Sequence, residues 1–96
     1  MAVSLHGNNG LITTNGSAAA PSLAAPDTDT GLFFGTNLIH ATTNGTTRLS
    51  IIADGKVGIG ITNPGAELHA YHATSNTIAQ FESGDAGAAA IWKDNS

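Results

Sequence analysis

Closely spaced turn dipeptides divide this sequence into short runs, and they constrain its fold more than any other feature. Asparagine–glycine, aspartate–glycine and related pairs recur along the chain, and the runs between them are rich in Val, Ile, Leu, Thr and Phe. Short runs of this kind, separated by glycine-containing turns, indicate an all-β fold. The predicted strands are residues 3–6, 11–14, 32–34, 37–42, 46–52, 56–62, 67–73, 77–82 and 89–93.

The composition leaves little material for the core of a lone domain. The hydrophobic residues make up 41% of the 96, but 16 of them are alanine, and cysteine is absent. A chain this small buries a modest share of its surface, and no disulfide can compensate. A metal, a partner or self-association would supply the missing stability. Because the β-branched residues fall in ordered runs and the net charge is only −4, we favour self-association over disorder.

Two classes of partner are disfavoured by the charge and hydropathy of the sequence. No run approaches the ~20 apolar residues of a membrane span, and the N-terminus lacks the pattern of a signal peptide. Three basic residues, Arg48, Lys56 and Lys93, are too few for a nucleic-acid footprint. We therefore expect neither membrane insertion nor nucleic-acid binding.

The clearest local prediction is a β-hairpin centred on Asp54-Gly55. A two-residue type I′ turn there would place Ile52 opposite Val57 and large residues opposite glycines. Strand glycines often mark the close approach of another backbone. Both faces of this hairpin carry apolar side chains, so a second copy of the chain is expected to cover one of them. The predicted packing residues are Leu49, Ile51, Ile52, Val57, Gly58, Ile59, Gly60 and Ile61, with Leu49 opposite Gly60 and Ile51 opposite Gly58.

An ordered string of motifs resembles a module of phage tail fibres, tailspikes and related virion appendages, notably those of marine and cyanobacterial phages. The motifs are SAAAPSL at 17–23, DTDTGL at 27–32, TNGTTRL at 43–49, DGKVGIG at 54–60, TNP at 62–64 and Leu68-His69. In such proteins the module often precedes an endosialidase-type intramolecular chaperone. The resemblance covers roughly residues 17–95, and the order of the motifs carries more weight than any single one.

This resemblance implies an elongated, intertwined homotrimeric fibre located in the virion. Residues 1–16 would form an N-terminal β segment and virion anchor, 17–30 an extended Ala/Pro connector, 31–69 a β-hairpin fibre module and 70–96 the start of a following β module. The chain would be a structural anchor or shaft segment of a longer fibre that supports host attachment and docks onto a tail or capsid protein. The alternatives are a capsid decoration or head fibre, a glycan-binding receptor module and a bacterial adhesin, the last of which needs an export signal.

Side chains that could carry chemistry are few, and we expect no enzyme activity, no cofactor and no metal. His6, His40, His69 and His72 could line a fibre axis as metal ligands, but we expect ordinary surface or interface histidines. Asp27 and Asp29 could suggest calcium, but their spacing with Thr28 and Thr30 is more typical of a turn that bonds its own backbone. Glu67 and Glu82 lie on separate predicted strands, unlike a glycosidase pair. The aromatic residues, which could stack on sugars, are expected to fill a thin core: Phe33, Phe34, Tyr71, Phe81 and Trp92.

Overall fold

The computed structural model describes residues 4–7 and 10–95, and across this range the chain is all-β. It contains eight strands and no helix within those residues. The all-β prediction is confirmed, whereas Val3, the first residue of the first predicted strand, lies outside the described residues. The strands are β1 (Ser4–His6), β2 (Gly10–Ile12), β3 (Leu23–Ala24), β4 (Gly31–Gly35), β5 (Leu38–Thr43), β6 (Thr46–Ile51), β7 (Val57–Ile59) and β8 (Leu68–Ala70).

The strands form two sheets that follow the order of the chain. β1 and β2 make a two-stranded antiparallel ribbon, and the other six strands form one sheet in the order β3-β4-β5-β6-β7-β8. Every neighbouring pair of the larger sheet is antiparallel except β7 and β8, which run parallel. The range 17–30, predicted as a connector, supplies edge strand β3. The main sheet is therefore a meander that ends in a parallel crossover.

The central hairpins use the turn chemistry that their sequences specify. Thr43 lies opposite Thr46, so Asn44-Gly45 forms a two-residue loop between β5 and β6. Both loop residues have positive φ, 53° and 69°, as a type I′ turn requires. Asparagine and glycine tolerate this left-handed backbone better than other residues.

The turn after β6 corrects the prediction made for Asp54-Gly55. Leu49 lies opposite Ile59 and Ile51 opposite Val57, one residue away from the predicted register. The loop is a three-residue one, because the Gly55 N–H donates to the Ile52 carbonyl at 2.8 Å and only Gly55 has positive φ, 93°. The Asp-Gly dipeptide also fits a loop that is one residue longer than the two-residue type I′ loop, in which a type I turn is followed by a glycine in the left-handed conformation. The predicted type I′ turn and its pairings are therefore wrong.

The two last predicted strands, 77–82 and 89–93, are not strands in the structure. No strand lies within residues 71–95, although the Tyr71 N–H donates to the Ile59 carbonyl at 2.9 Å. Side-chain hydrogen bonds in this segment are local, for example from Ser75 Oγ to the Thr77 carbonyl at 2.9 Å. A strand needs a neighbour to satisfy its backbone groups, and one copy of the chain offers none here.

The chain is more extended than its length requires. Its radius of gyration is 17.1 Å, whereas a compact domain of this length has about 12.5 Å. Its accessible surface is 7461 Å², against about 5,100 Å² expected for a folded monomer of the same mass. Roughly 2,400 Å² of surface is thus exposed beyond what a compact chain would show.

Candidate functional site

One face of the main sheet is covered by the chain itself, and we call it the closed face. Register places Phe33 opposite His40, His40 opposite Ser50, and Ser50 opposite Gly58 on this face. The fully enclosed side chains here are polar: His40 is 8% exposed, Thr42 1% and Ser50 0%. Among the described residues no large apolar side chain is buried to this degree. The small core of this chain is therefore built from hydrogen bonds.

His40 and Ser50 form the centre of the closed face. The His40 Nδ1 atom lies 2.9 Å from Ser50 Oγ, and the Phe33 ring stacks on the imidazole with centroids 4.6 Å apart. Gly58 on β7 lies opposite Ser50, and its missing side chain leaves room for the Ile61 carbonyl. Because Ser50 is fully enclosed, its hydroxyl cannot meet a substrate from solvent. This serine–histidine contact links β5 to β6 inside the closed face.

Residues 15–22 contact the sheet at β4 and at Thr42 of the closed face. The Phe34 N–H donates to the Asn15 carbonyl at 2.6 Å, and Thr42 Oγ1 lies 3.1 Å from the Ala18 carbonyl. Pro21 is buried in this segment. The range predicted as a connector therefore begins with residues that seal the sheet.

The crossover between β7 and β8 passes over Gly58 of the closed face, and two glycines permit it. A Cβ atom on Gly58 would collide with the Ile61 carbonyl, and one on Gly60 would collide with the Tyr71 carbonyl. Gly60 also has a positive φ of 76°. The backbone that comes close to these two glycines belongs to the same chain, and their packing against a second copy stays a prediction.

The opposite face of the sheet is apolar and uncovered over most of its area, and we call it the open face. Side chains alternate along a strand, so the residues that flank the closed-face residues in sequence point the other way. Beside the β5–β6 turn this face contains the Thr43–Thr46 pair, and its other members are apolar. They are Leu23, Leu32, Phe34, Ile39, Ala41, Leu49, Ile51, Val57, Ile59, Leu68 and Ala70.

The open face is exposed at its centre as well as at its edges. Ile39 on β5 is 44% exposed and Ile59 on β7 is 47% exposed, whereas Leu68 on edge strand β8 reaches 68%. Residues between them, such as Leu49 and Ile51, are only half-buried. Apolar side chains on neighbouring strands are therefore accessible to solvent across most of this face.

A β-bulge places one charge at the border of the open face. The register of β5 and β6 shifts between Ala41 and Thr42, which leaves Arg48 as an extra residue on β6. Bulges redirect a side chain from its regular position. Arg48 Nε donates to Thr43 Oγ1 at 2.9 Å, and Arg48 lines a groove of about 300 Å³ together with Ile59, Ala70 and Ile78. The segment that follows β8 thus covers one end of the open face.

The predicted packing residues divide between the two faces. Leu49, Ile51, Val57 and Ile59 lie on the open face, and Gly58 lies on the closed face. The other three lie outside the strands. Ile52 follows β6, Gly60 begins the crossover and the half-buried Ile61 is part of it. Their packing against a second copy stays a prediction.

The remaining candidate residues are engaged locally. His69 Nδ1 accepts a hydrogen bond from the Gly65 N–H at 2.9 Å, and His72 Nδ1 accepts one from the Ser75 N–H at 3.0 Å. Thr30 Oγ1 donates to Asp27 Oδ2 at 2.8 Å, which makes this segment a turn. The side chain of His6 lies outside the described residues. The part of the chain that the structure describes holds no group of three or more metal-ligating side chains.

The aromatic residues were expected to fill a thin core, and those outside β4 are instead exposed. Phe33 and Phe34 lie on opposite faces of β4, as their adjacency predicts. By contrast, Tyr71 is 52% exposed, Phe81 73% and Trp92 90%. These three do not fill the core of a single chain.

His40 and Ser50 are the structural residues that sequence reasoning missed. The available signal was Ser50 itself, a polar residue between Leu49 and Ile51 in the middle of an apolar strand.

Comparison with known proteins adds no further information about function. A scan against protein-family models matched none, and searches of curated proteins and of solved structures found no match. Within the described residues no helix is long and apolar enough to cross a membrane.

Proposed function

We propose that this chain is a structural segment of a phage virion fibre that assembles with copies of itself. The observation that carries this proposal is the open face, an apolar sheet surface that a single chain leaves in water. A sheet with one apolar face must bury that face against another layer, and residues 71–95 cover only one end of it. The motif string from residue 17 to residue 69 supports the phage assignment.

The proposed mechanism is assembly, with no catalytic step. Copies of the chain bury apolar surface against one another, and the resulting thread transmits attachment between the virion and the host. Three copies are proposed on the resemblance to trimeric fibres. The N-terminal region would dock onto a tail or capsid protein, and the chain would act as an anchor or shaft.

Sedimentation equilibrium of the whole chain tests the proposal. The expected result is a trimer or a larger assembly across the accessible concentration range. A monomer that keeps its β-sheet spectrum at high concentration would contradict the proposal. Immunolabelling of phage particles by electron microscopy then separates a tail fibre from a head fibre, because the label would lie on different parts of the particle.

A glycan-binding module is the second candidate, and the groove beside Arg48 favours it. Tyr71 and His72 join Arg48 in lining that groove, which gives it an aromatic ring and a guanidinium. Binding of host polysaccharide that is lost in the Tyr71→Ala variant would support this candidate. Unchanged binding in that variant would exclude the groove as the glycan site.

A further inference from the structure

We infer that the open face is the surface through which copies associate, packed against the open faces of the other copies in the assembly, with the closed face turned outward. This inference rests on the proposed function, and it adds which surface of the sheet carries the assembly.

The surface that the single chain exposes can be compared with the surface that interfaces between chains bury. The chain exposes roughly 2,400 Å² more than a compact monomer of its mass, and obligate interfaces bury about 1,000–2,500 Å² on each chain. Part of the excess belongs to residues 71–95, and the remainder includes the open face. Residues 71–95 are exposed throughout, so it is the excess of the whole chain, open face and C-terminal segment together, that reaches the size of a permanent interface.

The distribution of charge favours a second copy over a lipid surface. The chain has a net charge of −4 and three basic residues, too few to hold an anionic membrane. The open face itself contains no ionisable side chain, and Arg48 stands only at its border. Two copies can therefore meet there without burying like charges, despite their equal net charge.

The shape of the sheet favours face packing over edge pairing. The outer strands are short, with two residues in β3 and three in β8, so edges offer few backbone hydrogen bonds to a neighbour. The face spans all six strands. Two sheets pack best when their twists match, and a second copy presents the same twist by construction.

Thiol protection in the assembled full-length chain tests the inference, because the natural sequence has no cysteine. The variants Ile39→Cys and Ile59→Cys place a thiol on the open face, and Ala53→Cys places one on the exposed β6–β7 turn as the control. The open-face thiols should react with a bulky maleimide roughly tenfold or more slowly than the control, because a packed interface excludes the reagent. Dilution below the association range should remove the difference.

A lysine introduced on the open face provides a second test, which does not depend on thiol reactivity. Ile39 is 44% exposed in the single chain, so the ammonium of Ile39→Lys can reach water without unfolding the sheet. Association of that variant should weaken roughly a hundredfold or more, since its unpaired charge would be buried between copies. Ala53→Lys is the matched control and should assemble as the natural chain does.

The outcomes separate the two proposals. An assembly in which both open-face thiols react as fast as the control, or in which Ile39→Lys associates normally, overturns the choice of face and leaves the fibre proposal standing. A folded natural chain that stays monomeric overturns both.

Discussion

This fold needs glycine for two reasons: a backbone with positive φ, and a neighbouring carbonyl so close that no Cβ atom fits. Four glycines allow the two reasons to be tested separately. Gly58 lies under the Ile61 carbonyl and does not have a positive φ. Gly55 has a positive φ of 93° and open space around it, while Gly60 combines a positive φ with the Tyr71 carbonyl. Gly84 has neither constraint. Replacing each with alanine therefore gives a complete two-by-two design.

The expected losses in unfolding free energy follow from these two constraints. Gly84→Ala should change stability little, and Gly55→Ala should cost about 1–2 kcal/mol because a Cβ atom strains the left-handed backbone. Gly58→Ala should cost about 1–3 kcal/mol, since the crossover must move to relieve the collision. Gly60→Ala carries both costs and should lose about 2–5 kcal/mol if they add.

Urea unfolding followed by circular dichroism measures these differences, at one chain concentration because association shifts apparent stability. Gly58→Ala unfolding at the same urea concentration as Gly84→Ala would refute the claim that the Ile61 carbonyl covers β7. If Gly58→Ala instead kept its stability at a concentration where chains are separate and lost only assembly, the backbone near Gly58 would belong to a neighbouring copy.

Three further predictions test the closed face, the β6–β7 turn and the C-terminal segment. Ser50→Ala should cost about 1–3 kcal/mol of unfolding free energy by removing the hydrogen-bond partner of the buried His40 ring, whereas the exposed Ser75→Ala should cost little; equal losses would contradict the buried pair. The Lys56 N–H, which donates to Asp54, lowers the pKa of that carboxyl group, with the Lys56 side chain adding to the effect. A carboxyl group whose pKa is lower in the folded chain stabilises the fold at pH values above its ordinary pKa, and this stabilisation is lost as the pH falls through the lowered pKa. Asp54→Asn should therefore reduce the unfolding free energy at neutral pH and leave it unchanged at a pH below the lowered pKa. A reduction of equal size at the two pH values would contradict this prediction. Chymotrypsin should cut the separated chain first after Phe81 or Trp92, which are 73% and 90% exposed, and a first cut at Phe34 would show that the sheet opens before the segment does.

The sequence predicted the β class and the positions of the turns because both depend on local chemistry. Asn44-Gly45 and Asp54-Gly55 both form tight turns where expected. The register after Asp54 was wrong because two-residue and three-residue loops share the dipeptide and differ in the φ of one residue. That single slip reverses the face of every side chain beyond it.

The two faces of the sheet could not be predicted because they depend on contacts between distant parts of the chain. The closed face exists because Asn15 and Ala18 reach β4 and β5, and no local pattern announces those contacts. Residues 77–82 have the composition of a strand, yet a strand also requires a partner. Composition therefore predicts a need for partners but could not identify the surface that would meet them.

The polar centre of the closed face has a thermodynamic consequence. Heat capacity rises on unfolding mainly through newly exposed apolar surface, and a sheet held by the His40–Ser50 contact exposes little of it when a single chain unfolds. If the open faces are buried between copies, most of the heat-capacity change belongs to their separation. Such an assembly would loosen on cooling, because apolar burial stabilises less at low temperature, while each separated chain would keep its hydrogen-bonded sheet.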